Sequence, residues 1–187
     1  MPINDLSPTE RKALLAERRE EYKNFWPGAH GRRARYAIEL FPLLHADKPQ
    51  GHVLIPATHD MRLRKVAETF GKYFKRELGF DFMPFVAKRS ALYPADPTVE
   101  VALFDAKKVQ ATFPIAAGAA GLSIVEGQRW LDWIWIHPFE RGKGLASQAW
   151  DDLEAVYGSE FKVQPPLSRP MELFLTHRGI ARERWSF

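Results

Sequence analysis

The residues best suited to chemistry in this chain lie between Arg141 and Gly144, in the stretch Trp130 to Trp150. They follow an apolar run, Trp130 to Ile136, and a turn at Pro138, and they lead into a segment with helical spacing. A strand that passes through glycines into the bare start of a helix gathers main-chain N–H groups. The helix dipole adds positive potential there, so an anion such as a phosphate is favoured. Arg141 and Lys143 strengthen that field, and Gly142 and Gly144 let the backbone approach a ligand closely. The dinucleotide fingerprint needs a third glycine and a downstream acid, and the nucleotide-hydrolase loop needs G-x-x-x-x-G-K-[ST]; neither pattern is present. A loop that merely turns the chain is the plain alternative.

Other constellations are weaker. The six histidines show no metal-ligand spacing, so no metal site is expected. Ser147 lacks the G-x-S-x-G context of a hydrolase nucleophile. The chain contains no cysteine, which excludes disulfides and a thiol nucleophile. Its 187 residues suit one domain with a sizeable core, and 45% hydrophobic residues mean that it should fold. Met1 to Ser7 is not the apolar region of a signal peptide, and the longest nearly apolar run, Phe113 to Val125, is too short to cross a bilayer. A soluble cytoplasmic protein with no membrane association is expected. The net charge of +4 is mild and does not by itself support a nucleic-acid partner.

These residues need elements to position them. Ser7-Pro8-Thr9-Glu10 has the form of a capping box, so a helix is expected to start there and to run to the Pro27-Gly28 break. A basic link, Gly28 to Ala34, and an ambiguous segment, Tyr36 to Leu44, follow. His52 to Ala57 reads as a strand with Pro56 at an edge or an end. Asp60 can cap a helix in which Leu63, Val66, Ala67, Phe70, Tyr73, Phe74 and Leu78 repeat at helical spacing up to Gly79. Its other face is basic, with Arg62, Arg64, Lys65, Lys72, Lys75 and Arg76. Phe82 to Ala87, Val99 to Phe104 and Ala117 to Val125 read as strands. Gly118 and Gly121 allow a bulge or a close approach by a neighbour. Glu126-Gly127-Gln128 makes a hairpin connection into the Trp130 strand. Leu145, Ala149, Trp150, Leu153, Val156 and Tyr157 form one face of a helix that stops at Gly158. Phe161 to Leu167 reads as a short strand and Arg169 to His177 as a helix.

The string Arg141-Gly142-Lys143-Gly144-Leu145-Ala146 resembles motif A, Q/R-x-x-G-x-G/A, of the GNAT superfamily of acyl-CoA-dependent N-acyltransferases. Its lead-in, Ile136-His137-Pro138-Phe139-Glu140-Arg141, is similar to the family's strand ending before the arginine. VQPPLSRPMELFLTHRGI resembles the family's fifth strand and following helix, with Gly179-Ile180 for the usual G-F pair. The likeness is specific over Gly118 to Ile180, and before that it rests on the order of elements. It implies an α+β fold: a central, mostly antiparallel sheet with a splayed parallel strand pair, flanked by helices. Residues 1–187 would form a single acyltransferase domain, with 1–30 as a helical N-terminal extension.

The same resemblance implies acetyl-CoA as co-substrate and direct transfer of its acetyl group to an amine in a ternary complex. The backbone of Ile134 and Ile136 would pair with the pantetheine arm, and the N–H groups from Gly142 through Lys143, Gly144, Leu145 and Ala146 would hold the pyrophosphate. Arg141 and Lys143 would add charge there, and Ser168 stands where many members place an asparagine that contacts the arm. An alkylammonium, with a pKa near ~10.4, must lose a proton before it attacks, so a general base is useful. Asp132 is the first choice. It interrupts an apolar strand at the face parity of Ile134 and Ile136, near where histone-modifying relatives carry a glutamate, and carboxylates in such surroundings serve as proton acceptors. The bland alternative is a solvent-facing or ion-paired Asp132. Glu126, His137 and Glu172 are other candidates, with His137 reading as a surface or packing residue. The family's tyrosine acid would fall at Leu175, so Tyr157, Thr176 or water would have to protonate the thiolate. The acceptor is an amine on a small molecule or a protein. The competing readings are a basic nucleic-acid-associated protein, including a GNAT acting on aminoacyl-tRNA, and a CoA-binding member with weak activity.

Overall fold

The computed structural model describes residues 53–88, 100–106 and 116–185, together with Ser7, Thr9, Glu10, Lys12, Ala13 and Ala16 near the start. The expected capping box is present at its first turn. The Ser7 N–H donates to Glu10 Oε2 (2.8 Å), and the Glu10 N–H donates to Ser7 Oγ (3.3 Å). The rest of the expected helix, the Gly28–Ala34 link and the Tyr36–Leu44 segment lie outside the described residues.

Five strands form one sheet in sequence order: β1 (Leu54–Pro56), β2 (Glu100–Asp105), β3 (Ala116–Val125), β4 (Gln128–Ile136) and β5 (Lys162–Val163). The first three pairings are antiparallel and β4 runs parallel to β5. Pro56 closes β1, which lies at the sheet edge, where a missing N–H costs least. Glu126 (φ 53°) and Gly127 (φ 80°) make the two-residue turn between β3 and β4. Two successive positive φ values match the right-handed twist of the paired strands.

Helices cover both faces. On one side α1 (Met61–Leu78) packs Val66, Ala67, Phe70 and Tyr73 against Val101, Leu103, Trp133 and Trp135. Its start is capped by Asp60, whose side chain accepts from the Arg62 N–H, and its end by Gly79 in the left-handed conformation. On the other side α2 (Leu145–Tyr157) and α3 (Arg169–His177) supply Leu145, Ala149, Trp150, Leu153 and Leu175 to a second core with Ala102, Phe104, Leu122 and Leu131. This is the α+β arrangement expected, a mostly antiparallel sheet with one parallel pair between helical layers.

Two expected strands differ from what forms. Phe82 to Ala87 is irregular rather than a strand. Pro84 has no N–H to give a ladder, and the Ala87 N–H goes to the Glu68 carboxylate (3.1 Å) instead of a neighbouring strand. The strand read over Phe161 to Leu167 shrinks to Lys162–Val163, because Pro165 and Pro166 cannot donate to β4.

Candidate functional site

The site begins with a miscount between two strands. Gly121 pairs with Trp133 and the next residue, Leu122, pairs with Leu131, so Asp132 has no opposite number on β3. This is a β-bulge. It reverses the alternation of β4: Leu131, Ile134 and Ile136 face α2, whereas Trp133 and Trp135 face α1. Asp132 therefore does not share a face with Ile134 and Ile136, as simple alternation predicts. Its Oδ1 accepts from Ser123 Oγ (2.7 Å), and Ser123 follows the α2-facing Leu122, so the carboxylate lies on the α1 side with Trp133.

The bulge also separates β4 from β5. Their last tie is the Gln164 N–H to the Leu131 carbonyl (2.9 Å), after which the two prolines end the ladder. The His137 N–H bonds to Ala117 on the β3 side (2.7 Å). Hydrogen-bonding direction alternates along a strand, so the N–H groups of Ile134 and Ile136 point the other way, into the opening. A shallow cleft of about 40 Å³, open to solvent, fills that gap. Asp132, Trp133 and Ile134 form its floor, Phe74 and Leu78 of α1 one wall, and Gln164, Ser168 and Met171 the other. Asp132 is the one charged side chain among the described residues that line it.

Beyond the far end of β4 lies the glycine loop. Gly142 (φ 72°) and Gly144 (φ 79°) are both left-handed, a conformation that favours glycine. Gly144 is the N-cap of α2 and offers no side chain, and the first intrahelical bond runs from the Gln148 N–H to the Gly144 carbonyl (3.1 Å). The N–H groups of Leu145, Ala146 and Ser147 thus open the helix without an intrahelical acceptor. A β-carbon built on Gly142 or Gly144 meets nothing within 4 Å, so open space borders the loop. Those features fit a diphosphate. Lys143 is exposed on the same turn.

Arg141 is used differently from the expectation. Its guanidinium forms a two-pronged pair with Glu77 of α1 (2.6 and 2.8 Å), and its Nε donates to the Ile136 carbonyl (2.8 Å). The Trp135 indole N–H donates to the same Glu77 carboxylate (2.7 Å). The Glu77 carboxylate, at the far end of α1, is the nearest strong acceptor, and it turns Arg141 back toward the protein. Arg141 ties the loop to α1 and to the end of β4.

The other candidates lie apart from the cleft. Glu126 is in the exposed hairpin turn, and Glu172 pairs with Arg169 (3.3 Å). His137 is fully buried with its ring edge-on to Trp135 (5.7 Å), so it packs. Leu175 is buried in the α2-side core. Tyr157 ends α2, about 18 Å from the glycine loop by helical rise, and lies under the Arg129 guanidinium (5.8 Å) rather than in the cleft. Thr176 is exposed on α3. On the basic face of α1, Arg62 pairs with Asp60, Lys72 with Glu68, and Lys75 with the Asp81 carbonyl. Arg64 reaches the Thr58 and Ala87 carbonyls. Among the described residues no cluster could hold a metal ion, and no helix is long and apolar enough to cross a membrane.

Sequence reasoning missed Ser123, Glu77 and the cleft wall of Phe74 and Leu78. The last two carried a signal, since they sit at the end of the apolar stripe where α1 outruns its core contacts. Ser123 and Glu77 carried none, because their partners depend on strand register and on how α1 crosses the sheet.

No family model matches the sequence, and no curated protein matches it. Among solved structures, an integron cassette protein, VCH_CASS6, from the mobile metagenome of V. cholerae is similar at 15% identity, covering 72% of this chain and 89% of that one with a TM-score of 0.44. A Staphylococcus aureus protein whose name places it in the GNAT acetyltransferase family is similar at 10% identity, covering 61% of this chain and 99% of that one with a TM-score of 0.38.

Proposed function

We propose that this chain is an N-acetyltransferase that passes an acetyl group from acetyl-CoA to an amine by direct attack. The observation that carries the reading is the opening between β4 and β5, floored by Asp132, on a strand whose far end leads to a glycine-lined helix start. The N–H groups of Gly142 to Ala146 and the charge of Lys143 would receive the diphosphate. The outward N–H groups of Ile134 and Ile136 would pair with the pantetheine arm, with Ser168 on the opposite wall.

Acetyl-CoA supplies the activated acyl carbon as a thioester. The Asp132 carboxylate, oriented by Ser123, takes the proton of the bound ammonium, directly or through a water molecule. The freed amine attacks the thioester carbon, a C–N bond forms, and the C–S bond breaks. A strand N–H at the opening stabilises the oxyanion in between. Water protonates the departing thiolate, since buried Leu175 occupies the position where the resemblance places a tyrosine. No covalent intermediate with the protein is needed.

A thermal-shift titration with acetyl-CoA, paired with thiol release in the presence of amines, tests the reading. Saturating acetyl-CoA at about 100 times its Kd should stabilise the fold by about 2.7 kcal/mol. Gly144→Val should abolish that shift. Asp132→Asn should keep it and lower kcat by about 10²- to 10⁴-fold. No shift with the native protein, or native turnover by Asp132→Asn, would overturn the assignment.

A further inference from the structure

The cleft has a chemistry of its own on the α1 side. Its floor holds one carboxylate, Asp132, placed by the Ser123 hydroxyl, and its α1 wall is apolar: Phe74 and Leu78 beside Trp133. The Phe74 and Trp133 rings lie 6.0 Å apart, directly next to the carboxylate in the chain. From there the aromatic surface runs outward. Phe74 stacks on Phe80 (5.2 Å, 8°), Phe80 leans on Phe82 (5.5 Å), and Phe82 is 61% exposed.

We propose that the acceptor is a small primary amine whose nitrogen is joined by one or two carbons to an aromatic or branched aliphatic body. This inference rests on the acetyltransferase reading and specifies its second substrate. The ammonium needs a single anionic partner, and Asp132 provides it at the point where the wall begins. The remainder of the acceptor must match an apolar wall, which rewards a ring or branched chain and leaves a second polar group without a partner. A polyamine or a lysine-rich peptide would set further ammonium groups against that apolar wall, and Asp132 is the one charged side chain among the described residues lining the cleft. Desolvating a charge without a counter-charge selects against such partners.

The test is steady-state acetylation by the native protein with 2-phenylethylamine, isopentylamine, spermidine and a lysine-rich peptide as acceptors, each alongside the acetyl-CoA thermal shift. The two apolar amines should exceed spermidine and the peptide in kcat/KM by about tenfold or more. Leu78 is 41% exposed, so Leu78→Lys should fold and keep the acetyl-CoA shift. It should lower kcat/KM for 2-phenylethylamine by about tenfold, chiefly through KM. An intact shift with equal or better use of spermidine or the peptide would overturn this proposal alone. So would an intact shift with Leu78→Lys indifferent to the change, or with neither apolar amine acetylated. Absence of the shift itself would overturn the acetyltransferase reading, and the acceptor class with it.

Discussion

Tyr157 and Asp132 show how position decides the use of an ionisable group. Burial, and then the nearby Glu100 carboxylate, push the Tyr157 phenol up to about 12, with Arg129 acting in the opposite direction. The folded chain therefore holds this proton more tightly than the unfolded chain, whose tyrosine titrates near ~10. Stability is untouched below that value and falls as the pH climbs from about 10 toward about 12, because the unfolded state then binds fewer protons. Tyr157→Phe should remove this part of the alkaline decline, measured as the urea midpoint across that range; an identical decline in both proteins would show that the phenol is not its source. Asp132, by contrast, stands in an opening, held by the hydroxyl of another strand. One residue is half-buried among fixed charges and the other is placed where a ligand can reach it.

At the scale of elements, close approach between neighbours sets the rules. Gly121 exists because the Trp133 indole lies over it: a β-carbon there would be 2.2 Å from the indole nitrogen. Gly121→Ala must displace the ring and should cost roughly 1–3 kcal/mol in chemical denaturation; a loss below a few tenths would mean that the indole has room to move. The sequence already hinted at this contact, since Gly118 and Gly121 interrupt an otherwise apolar strand. The helices were legible from the spacing of α1, α2 and α3, and the strands β2, β3 and β4 from their apolar runs. Phe82 to Ala87 misled because its apolar residues serve α1 as a packed loop, not a ladder. The loop glycines of the site were legible too, as both had to adopt positive φ. The bulge was not. Whether Asp132 aligns with Ile134 depends on how many residues stand across from it, which a single strand does not record. Arg141 illustrates the same limit, since its partner Glu77 is 64 positions away.

Across the whole molecule, two polar nodes tie the layers to the sheet. Glu77 gathers Arg141 and Trp135, joining α1, β4 and the glycine loop. Asp152 of α2, almost fully buried, accepts from the N–H groups of Val53 (2.6 Å) and Leu54 (2.9 Å) and so fastens the far edge strand. The first node links the acceptor wall to the anion loop, so the two halves of the proposed reaction share one framework. Residue 132 itself plays no such part in the framework. With it deleted, Leu131, Trp133, Ile134, Trp135 and Ile136 would alternate faultlessly, each toward the layer it already occupies. The shortened protein should keep a melting temperature no lower than the native one and its acetyl-CoA shift, since Pro165 and Pro166 still hold the gap beside β5 open, but lose amine acetylation with the carboxylate. A thermal scan with and without the thioester would read both properties at once. On this view the chain carries one amino acid that its architecture could spare, and the proposed proton transfer is made of that surplus.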